Sequence, residues 1–182
     1  MLTVNKLIAQ GRGLAGALLE RAATVELDWN VRRKSRFDAL DSRGRSLGVF
    51  LPRGSVVRGG DVLVAEDGSL VFVRAAPQQA MRVTHCREHG SAFDLLRAAY
   101  HLGNRHVEVE LRPEHLTLER DHVLADMLRQ MHLIVSDVDA PFEPEAGAYA
   151  TADHGRSSSH AHDRSREGAH SHDHGPGCSH DH

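Results

Sequence analysis

Eight of this chain's fifteen histidines fall within its last 32 residues. They are His154, His160, His162, His170, His172, His174, His180 and His182. The H-x-H spacing recurs at 160/162, 170/172, 172/174 and 180/182. A pliable backbone lets both imidazoles of such a pair face one ion, and neutral imidazole suits nickel, copper and zinc. Asp163, Asp173 and Asp181 lie beside these pairs as outer acceptors or further ligands, and Cys178 adds a thiolate. The plainer reading is a purification tag or a solubilising tail. A tag, however, is an uninterrupted histidine run, and this segment is broken by Asp, Ser and Arg. The composition therefore points to metal binding. It does not settle the metal, although the affinity order favours copper.

Seven histidines lie upstream: His85, His89, His101, His106, His115, His122 and His132. His106 follows a predicted helix and opens an alternating run, a junction that projects a side chain from a rigid element. On spacing alone it reads equally well as a solvated loop residue. His122 opens a second predicted helix and reads first as a plain exposed residue of its first turn. In "HCREH" (85–89), His85, Cys86 and His89 stand close together, but a zinc site needs a fourth ligand, and the stretch reads as a loop leading into a helix. His101 falls in the last turn of its helix, where it complements the dipole. No H-E-x-x-H, nucleophile elbow or triad-like grouping is present, so the chain reads as a non-enzyme.

The elements that must carry these side chains fall into three zones. Residues 1–76 hold short β-branched runs such as "SLGVF", "DVLVA" and "LVFVR", separated by the turn signals "DSRGR", "LPRG", "RGGD" and "EDGS". Asp67-Gly68 between two apolar runs marks a hairpin. Residues 77–142 change period. "AMRVTH" (80–85) reads as a strand. "SAFDLLRAAYHLG" (91–103) reads as a helix capped by Ser91, with Phe93, Leu96, Ala99 and Tyr100 on its apolar face and Gly103 at the left-handed C-terminal position. "HVEVEL" (106–111) alternates, with Val107, Val109 and Leu111 on one face, and pairs with "LTLER" across Pro113. "DHVLADMLRQM" (121–131) is helical, with Val123, Leu124, Met127, Leu128 and Met131 as its stripe. "HLIVSDV" (132–138) returns to strand. The order β-α-β-β-α-β is the ferredoxin-like pattern. Residues 143–182 begin as a Pro- and Gly-rich linker. From Thr151 they contain no large aliphatic residue, which predicts a disordered, histidine-rich tail. The expected class is thus α+β: a small N-terminal all-β domain, a ferredoxin-like domain and that tail.

Apolar residues make up 40 % of the chain and aromatics 4 %, so the cores must be aliphatic. A formal charge of -3 gives no basic excess for nucleic acid. Two cysteines form no disulfide framework, which fits a reduced, cytoplasmic setting. "GLAGALL" (13–19) loosely resembles a secretory signal, but Glu20 and Arg21 interrupt it, and it reads as a loop or half-buried segment. No stretch approaches the roughly 20 apolar residues of a membrane span.

"AAYHLGNRHVEVEL" (98–111) resembles the signature of the UreE-type urease accessory proteins, the nickel metallochaperones. "DHVLADMLRQMHL" (121–133), "FEPEAGAYA" (142–150), "KSR" (34–36), "LPRG" (51–54) and "DVLVAEDG" (61–68) are similar to that family too. The resemblance implies an N-terminal partner- or peptide-binding β domain and a ferredoxin-like metal-binding domain. It implies that His106 binds Ni(II) at a homodimer interface, with Zn(II) or Cu(II) as in vitro substitutes. His122 matches a further position linked to metal, although some relatives carry another histidine two residues earlier, where this chain has Arg120. The implied partners are the urease GTPase accessory protein and the urease apoprotein, and the implied role is nickel delivery. A metal buffer or store built on the tail is the competing reading.

Overall fold

The structure, a computed structural model, describes residues 1–147. The β-branched runs of the first zone build one six-stranded sheet. Its strands are β1 (Leu2–Ile8), β2 (Ala23–Leu27), β3 (Arg36–Leu40), β4 (Ser46–Phe50), β5 (Val62–Ala65) and β6 (Leu70–Ala75). They lie in the order β2-β6-β5-β1-β4-β3. The two outer strands nearly meet. Just past β3, Ser42 donates its N–H to the Thr24 carbonyl at 2.7 Å, and the Thr24 N–H returns a bond to Ser42 Oγ at 3.0 Å. The result is a near-closed barrel, which leaves little exposed strand edge. Alternate residues point inward, so Val4, Val25, Leu47, Val49, Leu63, Val71 and Val73 make an aliphatic core.

The Asp67-Gly68 turn joins β5 to β6 as the sequence indicates. Gly68 takes φ 82°, and Asp67 Oδ1 accepts the Ser69 N–H at 2.8 Å. The "GLAGALL" segment differs from the expected loop. Gly16–Arg21 winds into a short helix, α1, with Leu18 exposed. A second short helix, α2 (Trp29–Arg32), starts at Asp28, whose carboxylate accepts the Val31 N–H at 2.9 Å.

The second sheet follows after one residue. Its strands are β7 (Pro77–His85), β8 (Val109–Arg112), β9 (His115–Glu119) and β10 (Leu133–Pro141), all antiparallel, in the order β10-β7-β9-β8. Helices α3 (Ala92–Asn104) and α4 (His122–Gln130) complete the ferredoxin-like βαββαβ order. Met81, Val83, Leu116, Leu118 and Leu133 of the sheet pack with Leu95, Ala98 and Leu102 of α3 and Ala125 and Leu128 of α4.

The face that α3 buries is not the expected one. Phe93, Leu96 and Tyr100 are 64, 65 and 66 % exposed. The helix is apolar on two arcs, and the sheet takes the arc whose small Ala98 allows close approach. On α4, Leu128 is buried as expected, but Val123 is 63 % exposed. The helix ends also shift. Gly103 lies inside α3, and His106 takes the left-handed position at φ 56°. His132 does the same after α4 at φ 63°, so β10 starts at Leu133. Strand β8 starts at Val109, three residues later than the alternation suggests, and Leu111 is 47 % exposed rather than turned inward.

Residues 142–146 are anchored rather than loose. Phe142 is fully buried and meets Trp29 edge-on, with ring centroids 6.2 Å apart. The Glu143 carboxylate accepts from Arg32 Nη1 at 2.6 Å, from the Gly59 N–H at 2.8 Å and from Arg58 Nη1 at 3.3 Å. The "RGGD" turn is therefore a socket for "FEPE". A Cβ on Gly59 would stand 2.9 Å from the Glu143 carboxylate, so a side chain there would push that carboxylate out of its place.

Candidate metal centre

His106 sits where α3 hands over to β8. Its N–H donates to the Gly103 carbonyl at 2.9 Å, and the Val107 N–H donates to the Leu102 carbonyl at 3.1 Å. These two bonds close the helix in a Schellman-type arrangement, whose left-handed residue is usually glycine. A β-carbon in that conformation is strained by about 1–2 kcal/mol. The strained backbone turns an exposed imidazole outward from a rigid junction. Such an outlier fits a functional position.

His122 is the first residue of α4 and is exposed. Asp121 before it caps the helix, accepting the Leu124 N–H at 2.9 Å. Arg120 pairs with Asp137 of β10 at 3.2 Å. A shallow groove of about 260 Å³ is lined by Val107, Glu108, Glu119, Arg120, Asp121 and Leu124. The residues next to both histidines thus share one groove. Among the described residues, however, no three His, Cys, Asp or Glu side chains are gathered around one ion position. Among the described residues of one chain, His106 has no complete ligand set around it. His154, His160, His162, His170, His172, His174, His180 and His182 lie outside the described residues.

"HCREH" forms the end of β7 and the turn into α3, as its loop reading anticipates. Cys86 Sγ lies 3.8 Å from His89 Nδ1. The hydrogen bond from His89, aided by the backbone N–H groups of His89 and Glu88, brings the Cys86 thiol down to about 7. His115, on β9, is held below its ordinary value of 6.5, first by desolvation and then by the nearby Arg82 and Arg112 cations.

Trp29 escaped sequence reasoning altogether. It is the only tryptophan in the chain and is 3 % exposed. Its indole N–H donates to Glu108 Oε2 at 2.7 Å, and its backbone N–H donates to Gln78 Oε1 at 2.8 Å. The available signal was one tryptophan in a chain otherwise poor in aromatic residues. Nothing local in the sequence says that its partner lies 79 residues away.

The fold and site define a two-module α+β protein, a near-closed β-barrel followed by a ferredoxin-like module that holds an exposed histidine at the end of its first helix. The UreE urease accessory protein profiles match almost end to end, the N-terminal domain over residues 4–76 and the C-terminal domain over residues 78–182. A urease accessory protein UreE of Methylibium petroleiphilum is 78 % identical over 84 % of this chain and 70 % of the relative. That of Paracidovorax citrulli is 74 % identical over 85 % and 73 %, and that of Albidiferax ferrireducens 69 % over 89 % and 95 %. The chain belongs to the UreE family of urease accessory proteins. No described helix is long and apolar enough to cross a membrane.

Proposed function

We propose that this chain is a nickel metallochaperone of the cytoplasm, binding Ni(II) reversibly and passing it to the urease apoprotein with the help of the urease GTPase accessory protein. Residues 1–76 serve partner contact, 77–142 carry the body's metal site, and 143–182 add a histidine-rich store of ligands. The observation that carries this reading is His106, an exposed imidazole fixed in a left-handed conformation at the end of α3. One imidazole binds a divalent ion weakly. The same helix exposes Phe93, Leu96 and Tyr100, an apolar face that a second copy can cover. A two-fold axis then brings a second His106 with no added sequence. His122 lies at the neighbouring groove as an outlying ligand. Coordination positions left open suit a carrier, because an incoming ligand displaces the old one stepwise.

Isothermal titration with Ni(II) tests the reading. A chain ending at Ala150 loses stoichiometry but keeps one site per dimer, and His106→Ala in that chain removes the site. If shortening abolishes all tight binding while His106→Ala changes nothing, the protein is a metal store and not a carrier. Sedimentation of Leu96→Asp and Tyr100→Asp variants should show monomers, and dimers unaffected by both changes would refute the proposed interface.

A further inference from the structure

The strand that follows His106 is held from outside its own module. The Trp29 indole N–H donates to Glu108 Oε2 at 2.7 Å, and Arg33 Nη1 reaches the same oxygen at 3.2 Å. Next along, the Glu145 N–H donates to the Val109 carbonyl at 2.8 Å, and the Glu143 N–H donates to Glu110 Oε2 at 3.0 Å. His106 is therefore clamped on both sides. The α3 terminus holds its backbone, and two residues on Glu108 is fastened to the first module. Because the indole is buried, its N–H needs this acceptor.

We propose that Trp29 is a positioning residue for the His106 site, acting through its hydrogen bond to Glu108 and so coupling the barrel module to metal binding. This rests on the reading of His106 as a nickel ligand. Only Val107 separates Glu108 from His106, so a displacement of Glu108 reaches the histidine through a single residue. A ligand pair formed across a two-fold axis is doubly sensitive, because each error occurs twice. Residues that orient a metal ligand commonly matter tenfold to a hundredfold in affinity. Trp29 acts one step further back, so the expected effect is about threefold to tenfold. Coupling of this kind is reciprocal. Whatever engages the barrel near Trp29 changes nickel affinity, and nickel changes the surroundings of Trp29.

Trp29 is also the only tryptophan, so its emission reports on this contact in the full chain. Free Ni(II) is fixed with a chelator buffer, whatever the tail histidines take up, and emission is followed against free nickel. The wild type should show a nickel-dependent change that His106→Ala abolishes. Glu108→Ala should move its midpoint about threefold to tenfold to higher nickel. Glu108→Gln keeps an acceptor for the indole and should restore the midpoint to within about twofold. Arg33→Gln removes only a half-exposed ion pair and should leave the midpoint within about twofold as well. An unmoved midpoint in Glu108→Ala overturns the proposal while leaving the His106 reading intact. A shift in Glu108→Gln as large as in Glu108→Ala overturns it too, because charge and not the indole bond would then be responsible. A nickel response that survives His106→Ala overturns the His106 reading itself.

Discussion

Replacing Glu143 by alanine should loosen the protein more than any surface substitution. Arg32 is completely buried, and burial drives its pKa below the ordinary arginine value, with Glu143 as the main opposing influence. Its Nε and Nη2 donate to the Leu27 and Phe142 carbonyls at 3.0 and 2.6 Å. Those carbonyls satisfy N–H groups but do not neutralise charge. The Glu143 carboxylate, 2.6 Å away, does most of that, with Asp28 as a smaller influence. Removing one partner of a buried ion pair costs about 3–5 kcal/mol, because the other charge stays behind. Glu143 is itself 26 % exposed, so the lower end, about 3 kcal/mol, applies. For a chain of this size that corresponds to a fall in Tm of about 6–12 °C. Urea unfolding followed by Trp29 emission measures it directly, because the Arg32 and Arg58 guanidinium groups lie 5.4 and 4.8 Å from the indole centroid. Glu143→Gln keeps the acceptor oxygen and should lose less. If Glu143→Ala stays within about 1 kcal/mol of wild type, Arg32 does not depend on this carboxylate and the socket is ornamental.

Three further outcomes are expected. His106→Gly should raise stability by about 1 kcal/mol, visible as a higher urea midpoint, since glycine adopts the left-handed conformation without strain. The folded pKa of His115 is lowered, so the unfolded chain binds the extra proton first. His115 should therefore cost no stability above its ordinary value of 6.5 and erode stability as pH falls from there towards the folded pKa, and His115→Gln should flatten that part of a pH–denaturation curve. Cys86 should react with iodoacetamide with a half-maximal rate near pH 7, as its His89 contact requires, and His89→Ala should move that midpoint up towards the pH of an ordinary thiol.

Period and turn chemistry made most of the fold legible. Strands β4, β5 and β6, the Asp67-Gly68 hairpin and the βαββαβ order all follow from alternation, helical spacing and glycine placement. What could not be read was the side of α3 that faces the sheet. Phe93, Leu96 and Tyr100 compete with Leu95, Ala98 and Leu102 for burial, and only the neighbouring strands decide between them. Gly103 was the natural helix stop, yet the stop falls on His106, because the Schellman bonds form three residues later. His106 itself was readable as a residue at a junction, whereas its strained backbone was not. The Glu143 socket was invisible for another reason: "RGGD" and "FEPE" each read as a turn or linker, and their complementarity exists only in three dimensions.

The Glu143 socket also orders events during synthesis. Arg32 leaves the ribosome 111 residues before the carboxylate that neutralises it. At 5–20 residues per second, that gap lasts roughly 6–22 s. During it the barrel lacks the carboxylate that pairs with Arg32 and, until residue 108, the acceptor of the Trp29 indole. The contacts of the first module at Arg32, Arg58 and Gly59 are therefore completed only when residue 143 of the far side of the second has been made. Premature termination anywhere before codon 143 should yield a product that quality control can recognise, and two genes encoding the halves separately should not reproduce the parent fold unless their products meet again.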